Sequence, residues 1–274
     1  MDIDELLRND EENFDHAKVK KVSDHVAMYR TLVSNVYMIS NPSNESWFMI
    51  DTGIARYHER ILVAAERHFP NLPPEAIILT HGHFDHAGSA KALAKHWDIP
   101  IYAHPQEIPF LDGSTSYPPV DPTVGGGMIS LISPLFPKKA IRLTKWLRPI
   151  TDETASTLID GWRIIHTPGH TPGHISLFHE EERILIAGDA IATENPESAL
   201  SIVFPISKIH GPPAFFTEDW DKAKQSIQQL IQLRPKLLLA GHGLPIEGDA
   251  IQEGLEHLYQ NFDELAIPNN KKNE

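Results

Sequence analysis

The sequence predicts an α/β protein in which two β-sheets pack face to face and helices cover their outer sides. Three observations lead there. Short apolar runs bounded by turn formers recur along the chain, strand–helix units are set between them, and the tally rules against the alternatives. There are too many strands for a helical bundle and too few helical units for an eight-fold α/β barrel.

Residues 1–24 are polar and mixed in charge, and a single domain is expected over 25–274. VAMYRTLV, NVYMIS and SWFMID, separated by Asn35 and by Asn41-Pro42-Ser43-Asn44, read as an antiparallel meander. Asp51-Thr52-Gly53 closes the third strand, and IARYHERILVAAERHF follows with helical apolar spacing. AIILT is a strand running straight into HGHFDHAG, followed by a helix AKALAKHW and a strand IYAH. Residues 105–151 are rich in Pro and Gly, including Gly125-Gly126-Gly127, and read as an irregular, lid-like insertion. ASTLID, WRIIHTPGH, ISLFHE and RILIAGDA read as four strands. After a second irregular stretch, roughly 192–217, come a helix DWDKAKQSIQQLIQL, a strand LLLAGHG and a last helix over about 249–264.

Composition narrows the function. The chain has no cysteine, which excludes disulfides, iron–sulfur clusters, thiolate zinc sites and a cysteine nucleophile. A formal net charge of -13 argues against a nucleic-acid partner, because phosphate binding needs a basic face. No apolar run approaches the roughly 18–20 residues of a membrane span, and the acidic start, MDIDELLRND, lacks a signal-peptide pattern. A cytoplasmic enzyme acting on a small molecule is the expectation.

The chemistry concentrates in His81-Gly82-His83-Phe84-Asp85-His86, placed between a strand and a helix where a sharp loop presents every side chain. Two imidazoles two residues apart can reach one ion, and the next two ligands can reach a neighbour. Three further candidates end strands in the same way: His170 after WRIIHTPG, Asp189 after RILIAG and His242 after LLLAG. Side chains from several strand ends converge at one rim of a sheet protein, where binding sites are commonly built. A glycine flanks each of them, as a chain turning steeply beside a crowded ion requires.

HGHFDH, TPGHTPGH, AGDA and GHG, with IDTG upstream, stand in the order of the five motifs of the metallo-β-lactamase superfamily, which the chain resembles from about residue 26 to 264. The resemblance implies a four-layer αββα sandwich of two mixed sheets with metals at one edge. It implies that His81, His83 and His170 hold one ion, that Asp85, His86 and His242 hold a second, and that Asp189 bridges them. Asp51 and His174 match positions that orient ligands by hydrogen bonding. Two divalent ions are expected. Zinc leads because it is redox-inert, although iron, manganese and cobalt suit the same donors.

Two such ions would lower the pKa of a shared water from about 15.7 towards neutrality, and Asp85 is the natural proton shuttle to the leaving group. Within the family, His83 replaces the glutamate usual in flavodiiron proteins. Too few residues follow His242 for the glutathione-binding domain of glyoxalase II-type enzymes. The pattern resembles lactonases, although no tyrosine follows Asp189 before Tyr259. Hydrolysis of a lactone or ester is therefore the leading expectation. A thioesterase, a sulfur dioxygenase with a single iron and a non-catalytic metal-binding protein are the alternatives. Phe136, Lys138, Lys139, Arg142 and Trp146 combine apolar and basic side chains and are expected to form a substrate-facing lid, with a homodimer contact as the competing reading.

Overall fold

Strands buried on both faces dictate the layering. In β2 (Val26–Arg30), β3 (Asn35–Ser40) and β4 (Trp47–Ile50) nearly every residue is buried, so alternate side chains must enter two different cores. They do. Met28, Tyr37, Ile39, Phe48 and Ile50 point into the space between the sheets. Ala27, Tyr29, Val36, Met38, Trp47 and Met49 point the other way, against Ile61, Ala64 and Leu93 of the covering helices.

The computed structural model describes residues 19–41, 45–118, 142–195 and 207–271. The first sheet has the order β1-β2-β3-β4-β5-β6-β7, completed by β1 (Lys20–Lys21), β5 (Ala76–Ile78), β6 (Ile101–Ala103) and β7 (Leu147–Pro149). Its first four strands run antiparallel and its last three join in parallel. The second sheet has the order β12-β11-β10-β9-β8, from β8 (Trp162–His166), β9 (Ile175–His179), β10 (Ile184–Gly188), β11 (Leu237–Ala240) and β12 (Ile246–Glu247). Only β10 and β11 are parallel there.

Helices α1 (His58–His68) and α3 (Ala90–Trp97) cover the first sheet, with the short α2 (Phe84–Ala87) between them. Helices α6 (Trp220–Gln232) and α7 (Ala250–Gln260) cover the second, burying Ile227, Leu230, Ile251 and Leu255 against Phe178, Leu185 and Leu238. This is the αββα sandwich of two mixed sheets. No helix among the described residues is long and apolar enough to cross a membrane.

Four expectations need correction. ASTLID is not a strand: residues Asp152–Thr157 form a helix, α5, started by a capping box in which Thr151 and Thr154 each accept the other's backbone N–H. The last helix breaks at Asn261, and a short α8 (Phe262–Leu265) follows. The ordered sheet begins before residue 25, because Lys20 and Lys21 pair with Met28 and Ala27. Finally, the stretch over 105–151 is not irregular throughout, since it contributes α4 (Ile108–Asp112) and the edge strand β7.

Trp146 is no lid residue. Its carbonyl accepts from Ile101 N–H at the start of β6, and its ring packs against the outer core beside Leu143. The parallel register aligns Leu147 with Ile101 and Ile77, so Trp146 lies five strand steps before His81, on the order of 16 Å along the sheet. Arg142 is exposed beside Leu143, and Phe136, Lys138 and Lys139 lie outside the described residues. Trp146→Ala should accordingly lower thermal stability by roughly 1–3 kcal/mol, less than for a fully buried tryptophan, and leave KM unchanged. A raised KM with an unshifted unfolding midpoint would return Trp146 to the substrate.

Candidate metal centre

All the candidate ligands follow strand ends on one rim, where the two sheets are tied together. Ile175 N–H of the second sheet donates to Thr80 O, the residue before His81, at 2.9 Å. The parallel pairing of β10 with β11 sets Gly188 beside Ala240, so that Asp189 and His242 leave the sheet as neighbours. Gly241 is needed at that junction: a methyl group there would collide with Asp189 Oδ1 and stand 2.8 Å from His86 Cε1.

Second partners fix which nitrogen of each ring faces inward. The Thr80 hydroxyl donates to Asp51 Oδ2 (2.8 Å), so it accepts from His81 Nδ1 (3.0 Å) and leaves His81 Nε2 pointing in. Thr217 donates to Pro213 O (2.8 Å) and accepts from His170 Nδ1 (3.2 Å), freeing His170 Nε2. His86 Nδ1 donates to Asp51 Oδ2 (2.8 Å) and His242 Nδ1 to Val33 O (2.6 Å). His83 differs, presenting Nδ1 at 3.0 Å from His170 Nε2.

The inward atoms fall into three overlapping groups, each with donors within 4.8 Å of one another: His81, His83 and His170; His81, His86 and Asp189; Asp85, His86 and His242. Asp189 Oδ2 lies 3.1 Å from His242 Nε2 and 3.5 Å from His170 Nε2, while Oδ1 lies 3.3 Å from His86 Nε2. Asp85 Oδ2 stands 3.5 Å from His242 Nε2.

Asp51 and His174 act one step behind. Asp51, held in a left-handed backbone conformation (φ 58°), also accepts Thr80 N–H at 2.8 Å. His174 Nε2 accepts the N–H of Asp189 at 2.9 Å, with its Nδ1 turned to Thr167.

Burial and then the neighbouring rings hold His81 and His170 well below the ordinary imidazole range, and burial brings His83 down to about 3. Burial opposes charge on His86 and His242 too, but Asp189 and Asp85 prevail, raising His86 well above its usual value and His242 to about 9. Among the described residues His81 Nε2 is buried with no hydrogen-bond partner, and His86 Nε2 and Asp189 Oδ1, also buried, face each other at 3.3 Å without a well-formed hydrogen bond. Unsatisfied polar atoms of this kind cost about 1–3 kcal/mol each, and a divalent ion would satisfy them. The donor set of imidazoles and carboxylates fits such ions.

Two further residues at the site escaped the motif reading. Glu107, fully buried, accepts from Gly82 N–H (2.9 Å), Thr171 hydroxyl (2.7 Å), Gly173 N–H (2.8 Å) and the Tyr117 hydroxyl. Tyr117 lays its ring 4.6 Å from that of His83, and Phe216 sits 4.6 Å away on the same imidazole. The available signal was strand-end position, for Glu107 follows IYAH as His170 follows its own strand. The irregular composition around it hid that signal.

A model of the metallo-beta-lactamase superfamily matches residues 29–242. The probable metallo-hydrolase YflN of Bacillus subtilis is 40% identical over 228 residues, covering 82% of this chain and 86% of that one. A second Bacillus subtilis protein, the probable metallo-hydrolase YybB, is 29% identical over 215 residues, covering 78% and 81%. Among solved structures, a beta-lactamase domain protein from Burkholderia ambifaria shares the fold with a TM-score of 0.63 at 20% identity, covering 90% of this chain and 77% of that one.

The charge states carry a consequence for metal uptake. With its pKa raised to about 9, His242 holds a proton at neutral pH in the metal-free protein, as does His86. The triad of His81, His83 and His170 is already neutral. Protons should therefore leave mainly as the set containing His86 and His242 fills, and the number released should fall as pH rises through about 9. Calorimetric metal titrations in buffers of different ionisation enthalpy read this count. Uptake without proton release at neutral pH would refute these charge states.

Proposed function

The chain belongs to the metallo-β-lactamase superfamily, and from that premise we propose that this metal-dependent hydrolase is binuclear and cleaves a lactone or ester carbonyl. One observation carries the binuclear reading. Asp189 stands between the ligand groups, with Oδ2 facing His170 and His242 and Oδ1 facing His86. On this reading His81, His83 and His170 hold the first ion, Asp85, His86 and His242 the second, and Asp189 both. Zinc is the expected metal, and iron, manganese and cobalt are accommodated by the same donors. Divalent ions held there would supply Lewis-acid activation of a water nucleophile and of the substrate carbonyl.

The chain's own residues supply the rest. Asp85 lies in the first turn of α2, buried and 3.5 Å from His242 Nε2, a place from which its carboxylate would take a proton and pass it to the departing oxygen. Asp51 and His174 keep His86 and Asp189 aligned through the bonds described above. The wall beside His83 is aromatic: Phe216 and Tyr117 face that imidazole, and Phe84 lies 6.2 Å from Phe216. An uncharged acyl group fits such a wall. The net charge of -13 disfavours polyanionic substrates such as nucleic acids.

A metal-reconstituted panel of lactones, esters, thioesters, β-lactams and phosphodiesters tests the substrate class. Activity confined to thioesters or phosphodiesters would overturn the lactone or ester assignment. Elemental analysis should approach two ions per chain, and Asp189→Ala should reduce occupancy. Full hydrolytic activity with one ion would defeat the binuclear reading. Asp85→Asn, which removes a charge and a proton acceptor at constant size, should lower turnover on the order of a hundredfold or more with an unchanged far-UV circular dichroism spectrum. Near-native turnover would move the proton to another group.

A further inference from the structure

Among the described residues Glu107 is a buried carboxylate that forms no ion pair. Its burial is complete, and its two oxygens are met by four hydrogen-bond donors. Oε2 accepts from Gly82 N–H at 2.9 Å and from the Tyr117 hydroxyl, whose oxygen in turn accepts the same Gly82 N–H at 3.0 Å. Oε1 accepts from the Thr171 hydroxyl at 2.7 Å and Gly173 N–H at 2.8 Å. A carboxylate so placed has lost its water, and these donors replace it.

The positions of those donors are what matter. Gly82 lies between His81 and His83, while Thr171 directly follows His170. The two oxygens of one side chain thus fasten the two loops that bring the three-imidazole group together, one from each sheet. Tyr117 adds a lateral stop, stacked on Phe110 at 4.0 Å and facing His83 at 4.6 Å. Among the described residues no hydrogen bond joins Glu107 to Asp85, His86 or His242, which are fixed instead through Asp51, Val33 and the Ser34 hydroxyl on Asp85 O.

We infer that Glu107, with Tyr117, is a positioning clamp for one ion only, setting the separation of the His81–His83 and His170 loops and thereby the affinity of the three-imidazole group. The inference rests on the ligand assignment proposed above. Glu107→Gln is the informative variant. Either orientation of the amide turns an N–H₂ towards one backbone N–H, that of Gly82 or that of Gly173, whereas the Tyr117 and Thr171 hydroxyls can rotate to accept. Outer partners of metal ligands typically contribute ten- to a hundredfold in affinity.

The experiment is a stepwise cobalt(II) titration of metal-free protein, followed by visible absorption, on wild type, Glu107→Gln, Tyr117→Phe and His242→Ala. His242→Ala abolishes the step of the second group and so identifies the first. Glu107→Gln should weaken the first-group step about ten- to a hundredfold and change the other by less than about threefold. Tyr117→Phe, which keeps the ring and three of the four donors, should shift the same step in the same direction by less. Tyr117→Phe also serves as the test if Glu107→Gln does not fold. A general structural role would instead lower the unfolding midpoint and weaken both steps together, which overturns the clamp. Wild type that loads both ions beside a superimposable Glu107→Gln curve overturns the clamp alone. Wild type that binds no cobalt overturns the ligand assignment and the clamp with it.

Discussion

Ring nitrogens crowded against one another in a buried pocket are the constraint that the rest of the structure serves. His83 Nδ1 and His170 Nε2 stand 3.0 Å apart, both on rings whose burial keeps them uncharged. Left alone, such groups would turn away from each other and find other partners. Bonds on the far sides prevent this: Thr217 holds His170, Thr80 holds His81, Asp51 holds His86 and the Val33 carbonyl holds His242, while Tyr117 and Phe216 flank the His83 ring. The anchors come from both sheets and from the loops between them. The sandwich is therefore more than a platform, because its closure brings the anchors within reach.

The two ligand groups differ in electrostatic character. Three imidazoles without a carboxylate of their own form a neutral group that must be forced together by packing and hydrogen bonds. The other group contains Asp85, and the shared Asp189 lies nearer its rings, at 3.1 and 3.3 Å, than to His170 at 3.5 Å, so attraction between these carboxylates and the rings of His86 and His242 does part of the assembly. This difference explains the placement of supporting groups. The neutral group has a carboxylate clamp across its loops, Glu107, where the charged group needs only single bonds to backbone and to Asp51. Asp51 reaches both, since Thr80 passes its hydrogen bond on to His81.

Legibility in the sequence followed the range of the interaction. Apolar runs such as NVYMIS and ILIAG are local, and their strands lie where the pattern places them. The clustered HGHFDH and the strand-end residues His170, Asp189 and His242 were visible because each pairs a ligand type with a local turn signal. ASTLID, residues 155–160, misled because it looks like a short strand run, whereas a reciprocal Thr151–Thr154 cap starts a helix over Asp152–Thr157 that takes in its first half. Trp146 misled because its basic neighbours suggested an exposed amphipathic surface, while Leu143 and the strand pairing of Leu147 draw it into the outer core. Glu107 and Tyr117 were invisible for another reason. The irregular composition around Glu107 hid its strand-end position, and two of its partners, the Gly82 and Gly173 N–H groups, belong to the backbone, which no residue pattern advertises.

The contacts that complete the site are also the most distant along the chain, and this ties metal binding to folding. Asn35 donates to Ala240 O and Gly243 O across 205 and 208 positions, and Tyr37 to Ala240 O across 203, pinning the turn that carries His242. Arg30 reaches Glu194 at 2.8 Å over 164 positions, steadying the segment after Asp189. None of these bonds can form until both sheets are in place, so partly folded chains hold at most fragments of the ligand set. Ions that bind the complete set and not its fragments stabilise the native state by mass action. They would also offset the cost of His81 Nε2, His86 Nε2 and Asp189 Oδ1, buried atoms without a well-formed hydrogen bond among the described residues. These imperfectly satisfied atoms are thus kept at the rim, where a bound ion would pair with them. The three apolar cores on either side of the sheets and between them bear the fold.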